Sequence, residues 1–145
     1  MATFEVSGFS ELNQALSRVS DVPEEIKREI LTAMGEEALA AVREAGEAAG
    51  IRSADPEAKH VLDALSLSKI KFNDNGGSVL VTFKGSRKDA KHGKRTRQAA
   101  VAFYNEYGTK HQRARPFMRP GIERRRQQIY EAGEKVYHRW LKSSF

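Results

Sequence analysis

An alternation of apolar and polar residues in the middle of the chain restricts the fold most. Its apolar members are Ile70, Phe72, Val79, Val81 and Phe83. Alternation with a period of two is typical of half-buried strands. The segment Asn73–Gly77 interrupts it with residues that tolerate the positive φ angles of a tight turn. The sequence therefore predicts an antiparallel hairpin over residues 67–83.

Helical spacing of apolar residues precedes this hairpin. A first helix is predicted from Ser10 to about Ser20, and a second from Pro23 to about Ala49, with Gly50 as its C-terminal cap. The second helix becomes alanine-rich toward its end, which predicts close packing against another element. Asp55 begins a further short helix, predicted to continue to about Leu65.

Two elements are predicted after the hairpin. Residues 98–107 form either a short helix or a third strand, with Val101, Phe103, Tyr104 and Tyr107 as the apolar body. Pro120 opens a last helix of about 22 residues. Its apolar face consists of Ile122, Ile129, Gly133, Val136, Tyr137, Trp140 and Leu141. The predicted fold is one α+β domain over residues 1–145, with long N-terminal and C-terminal helices packed on a small antiparallel β-sheet.

Charge is divided unevenly along the chain. Residues 1–83 contain 8 Lys and Arg against 14 Asp and Glu, a net charge of −6, whereas residues 84–145 contain 17 against 5, a net charge of +12. Residues 84–97 contain seven cations and no large apolar side chain, so we expect a mobile basic loop there. Such a loop would face DNA phosphates, an acidic neighbouring subunit or only solvent.

Several classes of function have no signature in the sequence. The chain has no cysteine, and its histidines do not have metal-ligand spacing. It has no glycine-rich phosphate loop, no secretory signal pattern and no apolar run long enough to span a membrane. We therefore expect a non-enzymatic protein made in a cytoplasm, without cofactor, metal, small-molecule substrate or membrane partner.

Two short segments near residue 110 form a connector. The first is Glu106-Tyr107-Gly108-Thr109, where Gly108 is expected to act as a hinge. The second is Arg115-Pro116-Phe117-Met118-Arg119-Pro120, where the prolines stiffen the chain and Phe117 supplies an apolar anchor. The guanidinium groups of Arg115 and Arg119 suit a carboxylate, either that of Glu106 or one on a neighbouring subunit.

These linked segments, followed by a long amphipathic helix, closely resemble a family of siphophage proteins. They are the tail-completion or head–tail joining proteins named after the tenth gene product of a lambda-like phage. The order of predicted elements also resembles that family over nearly the whole chain. The resemblance implies a structural role in the virion, at the head–tail junction or tail end, in a homo-oligomeric ring that contacts other neck or tail proteins. The implied assembly residues are Glu106, Tyr107, Gly108, Thr109, Arg115, Pro116, Phe117, Arg119 and Pro120.

The alternative function is that of a small basic protein that binds DNA without sequence preference. Contact with phosphates would come from the basic segment, through Lys84, Arg87, Lys88, Lys91, Lys94, Arg95 and Arg97. Affinity of the isolated protein for duplex DNA, with a steep dependence on salt, would favour this alternative. In a ring, the same residues are expected to face either the genome or the next subunit.

Overall fold

A computed structural model describes residues 4–5, 22–51, 60–73, 76–88 and 93–144. The described part has an α+β architecture of helices and small antiparallel sheets, which confirms the predicted fold class. Its helices are α1 (Glu24–Ala48), α2 (Gln98–Tyr107), α3 (Met118–Arg124) and α4 (Arg126–Ser144), with a 3-10 turn at Val61–Ala64. Its strands are β1 (Phe4–Glu5), β2 (Leu65–Leu67), β3 (Lys71–Asn73), β4 (Gly76–Ser78), β5 (Leu80–Phe83), β6 (Ser86–Lys88) and β7 (Arg95–Arg97).

Helix α1 lies at the centre of the fold. The Pro23 carbonyl accepts the first helical N–H groups, and Glu24 and Glu25 place negative charge in the first turn, where the helix dipole favours it. The helix ends at Ala48, and Gly50 follows with a φ of 72°. The helix predicted from Pro23 to Ala49 is therefore confirmed, together with its glycine cap.

The predicted hairpin is confirmed, and it is longer than the alternation indicated. Strands β2 and β5 pair antiparallel with Leu65 opposite Phe83, and β1 pairs with the other edge of β5. The chain between β2 and β5 forms a second ladder in which β3 pairs with β4. Gly76 and Gly77 thus belong to a strand and not to the predicted turn. Gly77 lies so close to α1 that a Cβ atom there would be 2.6 Å from Leu31 Cδ1.

Two of the predicted N-terminal helices have different outcomes. The helix predicted at Ser10–Ser20 lies outside the described residues. Most of the helix predicted from Asp55 to about Leu65 also lies outside the described residues. Its end is wrong, because Val61–Ala64 form a 3-10 turn and Leu65 pairs with Phe83 as a strand residue. His60 starts this turn by accepting the Leu62 N–H on Nδ1 at 3.0 Å.

The prediction of a mobile loop over residues 84–97 is wrong at both of its ends. Strands β6 and β7 pair there as a short antiparallel ladder, which we call the basic ribbon. The neighbouring elements fix its base, since the Lys84 N–H donates to the Ala64 carbonyl at 2.8 Å and the Gln98 N–H to the Gly85 carbonyl at 3.0 Å. These anchors bring the two basic strands into register. Residues 89–92 lie outside the described residues.

The predicted C-terminal helix is present but begins earlier and is divided. It starts at Met118, two residues before Pro120, and separates at Arg125 into α3 and α4. Both parts pack on α1, so α1 lies between the C-terminal helices and the sheet. Ile129 and Val136 are buried, while Ile122, Tyr137 and Trp140 of the predicted face are half-buried.

Small residues form the contact between α1 and α3. A Cβ atom on Gly121 would lie 2.7 Å from the Ala45 Cβ and 3.0 Å from the Ala41 carbonyl oxygen. The two helix backbones therefore approach closely at this point. This contact confirms that the alanine-rich half of α1 packs tightly, and it gives α3 as the element it packs against.

Candidate functional site

The two connector segments meet through the carboxylate of Glu106. This residue is in the last turn of α2, and only 5% of it is exposed. Its Oε2 accepts the backbone N–H groups of Phe117 at 2.7 Å and Met118 at 2.9 Å, and its Oε1 accepts that of Arg119 at 3.2 Å. The first amides of a helix have no partners within the helix itself. Glu106 therefore caps α3 from a different element, with three charge-assisted hydrogen bonds.

The predicted pairing of Glu106 with an arginine fork is wrong. Arg115 instead donates to Asn105 Oδ1 at 2.9 Å and to the Gly50 carbonyl at 3.2 Å. Arg119 donates to Glu123 one turn further along α3, at 3.3 Å. The backbone amides at the start of α3 occupy both oxygens of Glu106, and the two arginines bind other acceptors.

Asn105 is a site residue that sequence reasoning missed. It is buried, its Nδ2 donates to the Val101 carbonyl at 2.9 Å, and its Oδ1 accepts from both Gln112 and Arg115. Its own carbonyl also accepts the Arg115 N–H at 2.6 Å. The sequence feature that could have identified Asn105 is its amide side chain directly before Glu106, on the face that α2 buries. We call Asn105, Glu106 and the backbone of residues 115–119 the clamp.

Gly108, which the sequence predicts as a hinge, lies in a hydrogen-bonded turn. Its backbone has φ 79° and ψ 173°, and its N–H donates to the Tyr104 carbonyl at 2.8 Å. A Cβ atom there would lie 2.8 Å from the backbone nitrogen of Ala114. Thr109 closes the turn by donating its N–H to the Gln112 carbonyl at 2.9 Å, while its hydroxyl accepts the His111 N–H at 3.2 Å.

Phe117 is the apolar anchor that the sequence predicted. It is 1% exposed and lies edge-on to Phe83 of the sheet, with ring centroids 6.3 Å apart. Pro116 before it and Pro120 after it are exposed. The clamp thus holds α3 to α2 by hydrogen bonds, and the buried ring of Phe117 holds the start of α3 to the sheet.

Of the four residues predicted as the apolar body of segment 98–107, Val101 is buried and the three aromatic residues are exposed. Phe103 is 46% exposed, Tyr104 44% and Tyr107 62%. The segment is a helix, so its buried face follows helical spacing through Gln98, Val101, Ala102, Asn105 and Glu106. Phe103 contacts Tyr107 with centroids 4.8 Å apart. We call these three exposed rings the aromatic face.

The basic ribbon presents three of its four cations on one side. In its register Lys88 is opposite Arg95, and Ser86 is opposite Arg97, so all four side chains share a face, while Arg87 and Thr96 lie on the other. Lys84 and Lys94 are exposed beside the ribbon, and Lys91 lies outside the described residues. Two cations directly opposite each other destabilise a ladder, so this face favours an anionic partner.

No metal-binding cluster of three His, Cys, Asp or Glu residues occurs in the described part of the chain. None of the described helices is long and apolar enough to cross a membrane. A shallow groove of about 340 Å³ lies between α1 and α4. Its lining residues are Arg28, Glu29, Thr32, Ala33, Glu36, Val136 and Arg139.

Comparison of the chain with protein families, curated proteins and solved structures finds no match.

Proposed function

We propose that this chain is a structural protein of a tailed phage or prophage particle that completes the tail or joins it to the head as a ring subunit. The observation that carries the proposal is the clamp. The segments Glu106–Thr109 and Arg115–Pro120, on which the family resemblance rests, are joined by the bonds from Glu106 to the first amides of α3. The residues that carry the resemblance therefore lie in one site, where they hold α2 and α3 together.

The contacts around the clamp support a scaffolding role. It fixes α2, which carries the aromatic face, to the C-terminal helices that pack on α1. The basic ribbon runs directly into α2, so it is held by the same framework. A subunit of an assembly needs separate surfaces held at fixed positions, and surfaces of opposite charge on identical subunits can associate head to tail.

Removal of the gene from its phage or prophage tests the proposal. Negative-stain images should show DNA-filled heads without joined tails, or tails that lack a finished end. A plasmid copy of the wild-type gene should restore infectious particles, and mass spectrometry should find the protein in them. Normal infectious particles made without the gene would contradict the proposal.

Sequence-independent DNA binding is the second candidate function, and the basic ribbon favours it. Lys88 and Arg95 are exposed and opposite each other, so bound phosphates would relieve their repulsion. An antiparallel pair of strands also has dimensions that fit the DNA major groove. Titration of the isolated protein with duplex DNA at increasing salt tests this function. Sequence-independent DNA binding predicts that the logarithm of the affinity falls linearly with the logarithm of the salt concentration.

A further inference from the structure

We propose that the aromatic face of α2 docks into the groove between α1 and α4 of a second copy of this chain. The contact would be the repeating interface of the ring, and in that respect it rests on the proposed function. The contact joins two different surfaces, and every copy of the chain carries both of them. The isolated protein therefore suffices to test it.

The aromatic face has the composition of an interface. Phe103, Tyr104 and Tyr107 lie on adjacent turns of one helix, and each is at least 44% exposed. Aromatic residues are enriched at the centres of protein interfaces, because they bury a large area with little loss of side-chain freedom. Two of the rings also contact each other, with Phe103 and Tyr107 centroids 4.8 Å apart, so they form one patch.

The segments that flank this patch along the chain are basic, and the 3-10 turn on which α2 packs adds one exposed carboxylate, Asp63. Residues 84–88 and 93–115 contain nine Lys and Arg and one carboxylate, Glu106. Glu106 is buried and bonded to the amides of α3, so it does not offset the charge at the surface. The basic ribbon lies before the first turn of α2, and Lys110 and Arg113 follow its last turn. A partner must therefore combine an apolar recess with surrounding negative charge.

The groove between α1 and α4 provides the recess, its lining carries two glutamates and two arginines, and its α1 wall continues into a mainly acidic helix face. Ala33 and Val136 supply apolar lining, and the groove has the volume to accept an aromatic side chain. Arg28 and Arg139 also line the groove, where Arg28 pairs with Glu24 and lies over the Phe72 ring, and Arg139 pairs with Glu29. An exposed stripe along α1 runs through the groove and contains four glutamates and one arginine, at Glu25, Glu29, Thr32, Glu36, Ala40, Arg43 and Glu47. Among the described residues, Glu36 has no ion-pair partner, so it is available to a cation of the second copy.

The two surfaces belong to different parts of one subunit. Helix α2 packs on β5, β7 and the 3-10 turn, whereas the groove lies between α1 and α4. Each copy therefore offers one face and one groove. A contact between two different surfaces leaves a free surface at each end, and it generates a closed ring or an open filament according to the rotation between subunits.

Two variants that each disrupt one surface test the contact. The face variant carries Phe103→Gln and Tyr107→Gln, and the groove variant carries Thr32→Arg and Glu36→Arg. All four positions are exposed, so the variants should melt like the wild type. The matched control is Glu134→Arg, an exposed charge reversal on α4 at a position that does not line the groove.

Sedimentation velocity over increasing protein concentration should show self-association of the wild type and of the control. Each variant alone should associate at least about tenfold more weakly. A mixture of the two variants retains one intact face and one intact groove, so it should form 1:1 dimers and nothing larger. This complementation distinguishes a specific contact from general loss of solubility or folding.

Three results would overturn the proposal. They are a wild type that stays monomeric up to its solubility limit, variants that associate like the wild type, and a mixture that forms no dimer. Binding of a fluorescent oligo(dT) by a monomeric wild type, abolished in the face variant, would assign the rings to base stacking instead. The proposed function fails separately, through normal particles made without the gene.

Discussion

The carboxylate of Glu106 lies 2.7 Å from the backbone nitrogen of Phe117, and this contact makes the end of α2 the cap of α3. The sequence predicts Glu106 in an ion pair that affects assembly more than folding. The observed bonds change that expectation, because they lie within one subunit and are buried. Substitution of Glu106 should act first on the stability of the subunit.

We therefore expect Glu106→Gln to lower the free energy of unfolding by about 1–3 kcal/mol. The amide has one acceptor oxygen in place of two, and its NH2 group would face a backbone N–H that also donates. Glu106→Ala should cost more, since all three amides lose their acceptor. Denaturant unfolding of the purified protein measures both changes.

The control for this prediction is Glu123→Gln, which removes a carboxylate from an exposed pair with Arg119. Its effect should stay within about 0.5 kcal/mol, as for most surface pairs. Equal effects at positions 106 and 123 would mean that the cap contributes no stability.

Gly108 should not tolerate any side chain. Its φ of 79° and ψ of 173° lie in a region that only glycine populates readily, and a Cβ atom would be 2.8 Å from the Ala114 nitrogen. Gly108→Ala is expected to lower the free energy of unfolding by about 3 kcal/mol or more, combining strain and collision. Gly50→Ala is the matched control, because Gly50 also has a positive φ but has open space around it. Gly50→Ala should lower the free energy of unfolding by about 1–2 kcal/mol. An equal loss for Gly108→Ala would mean that the collision with Ala114 adds nothing to the cost of the positive φ.

The contacts of α1 predict different costs at two glycines of the C-terminal helices. A Cβ atom on Gly121 would meet the Ala45 Cβ and the backbone of α1, which cannot move without shifting a helix. A Cβ atom on Gly133 would meet the thioether end of Met34, which can adopt another rotamer. Gly121→Ala should therefore destabilise by about 1–3 kcal/mol and Gly133→Ala by less. Thermal melts of the two variants give the order, and the reverse order would contradict the close approach of α1 and α3.

The sequence predicted the elements whose signals are local. The hairpin followed from alternation around Asn73, and α1 from its apolar spacing and its flanking Pro23 and Gly50. Segment 98–107 remained open between helix and strand because its apolar residues fit both spacings over ten positions. The buried face of the helix includes the polar residues Asn105 and Glu106. They are buried because α3 contacts them, and the sequence of segment 98–107 does not reveal that contact.

The arrangement of the candidate site needed tertiary information. The sequence identified Glu106, Gly108 and Phe117, but it paired the carboxylate with side chains, since backbone amides carry no sequence signal. The basic ribbon was missed for a related reason. Its residues favour an unstructured loop by composition, whereas in the structure the two strands pair with each other and hydrogen bonds to Ala64 and from Gln98 hold their base.

Neutralisation of one face of the basic ribbon should separate its two proposed partners. The variant carries Lys88→Gln, Arg95→Gln and Arg97→Gln, and its control carries Arg124→Gln, Lys135→Gln and Lys142→Gln at exposed positions of α3 and α4. Removal of the cross-strand repulsion between positions 88 and 95 should leave the variant as stable as the wild type, or more stable by about 0.2–1 kcal/mol. Any loss of function is then not a loss of folding.

If the ribbon binds DNA, the affinity of the variant for duplex DNA should be lower than that of the wild type. The slope of log affinity against log salt concentration should become shallower by about 0.9 for each phosphate that the variant no longer neutralises. Tailed particles that leak DNA would agree with that result, whereas tailless heads would assign the ribbon to the interface between subunits. Wild-type particles and unchanged DNA affinity would contradict both roles and leave the ribbon as solvated surface.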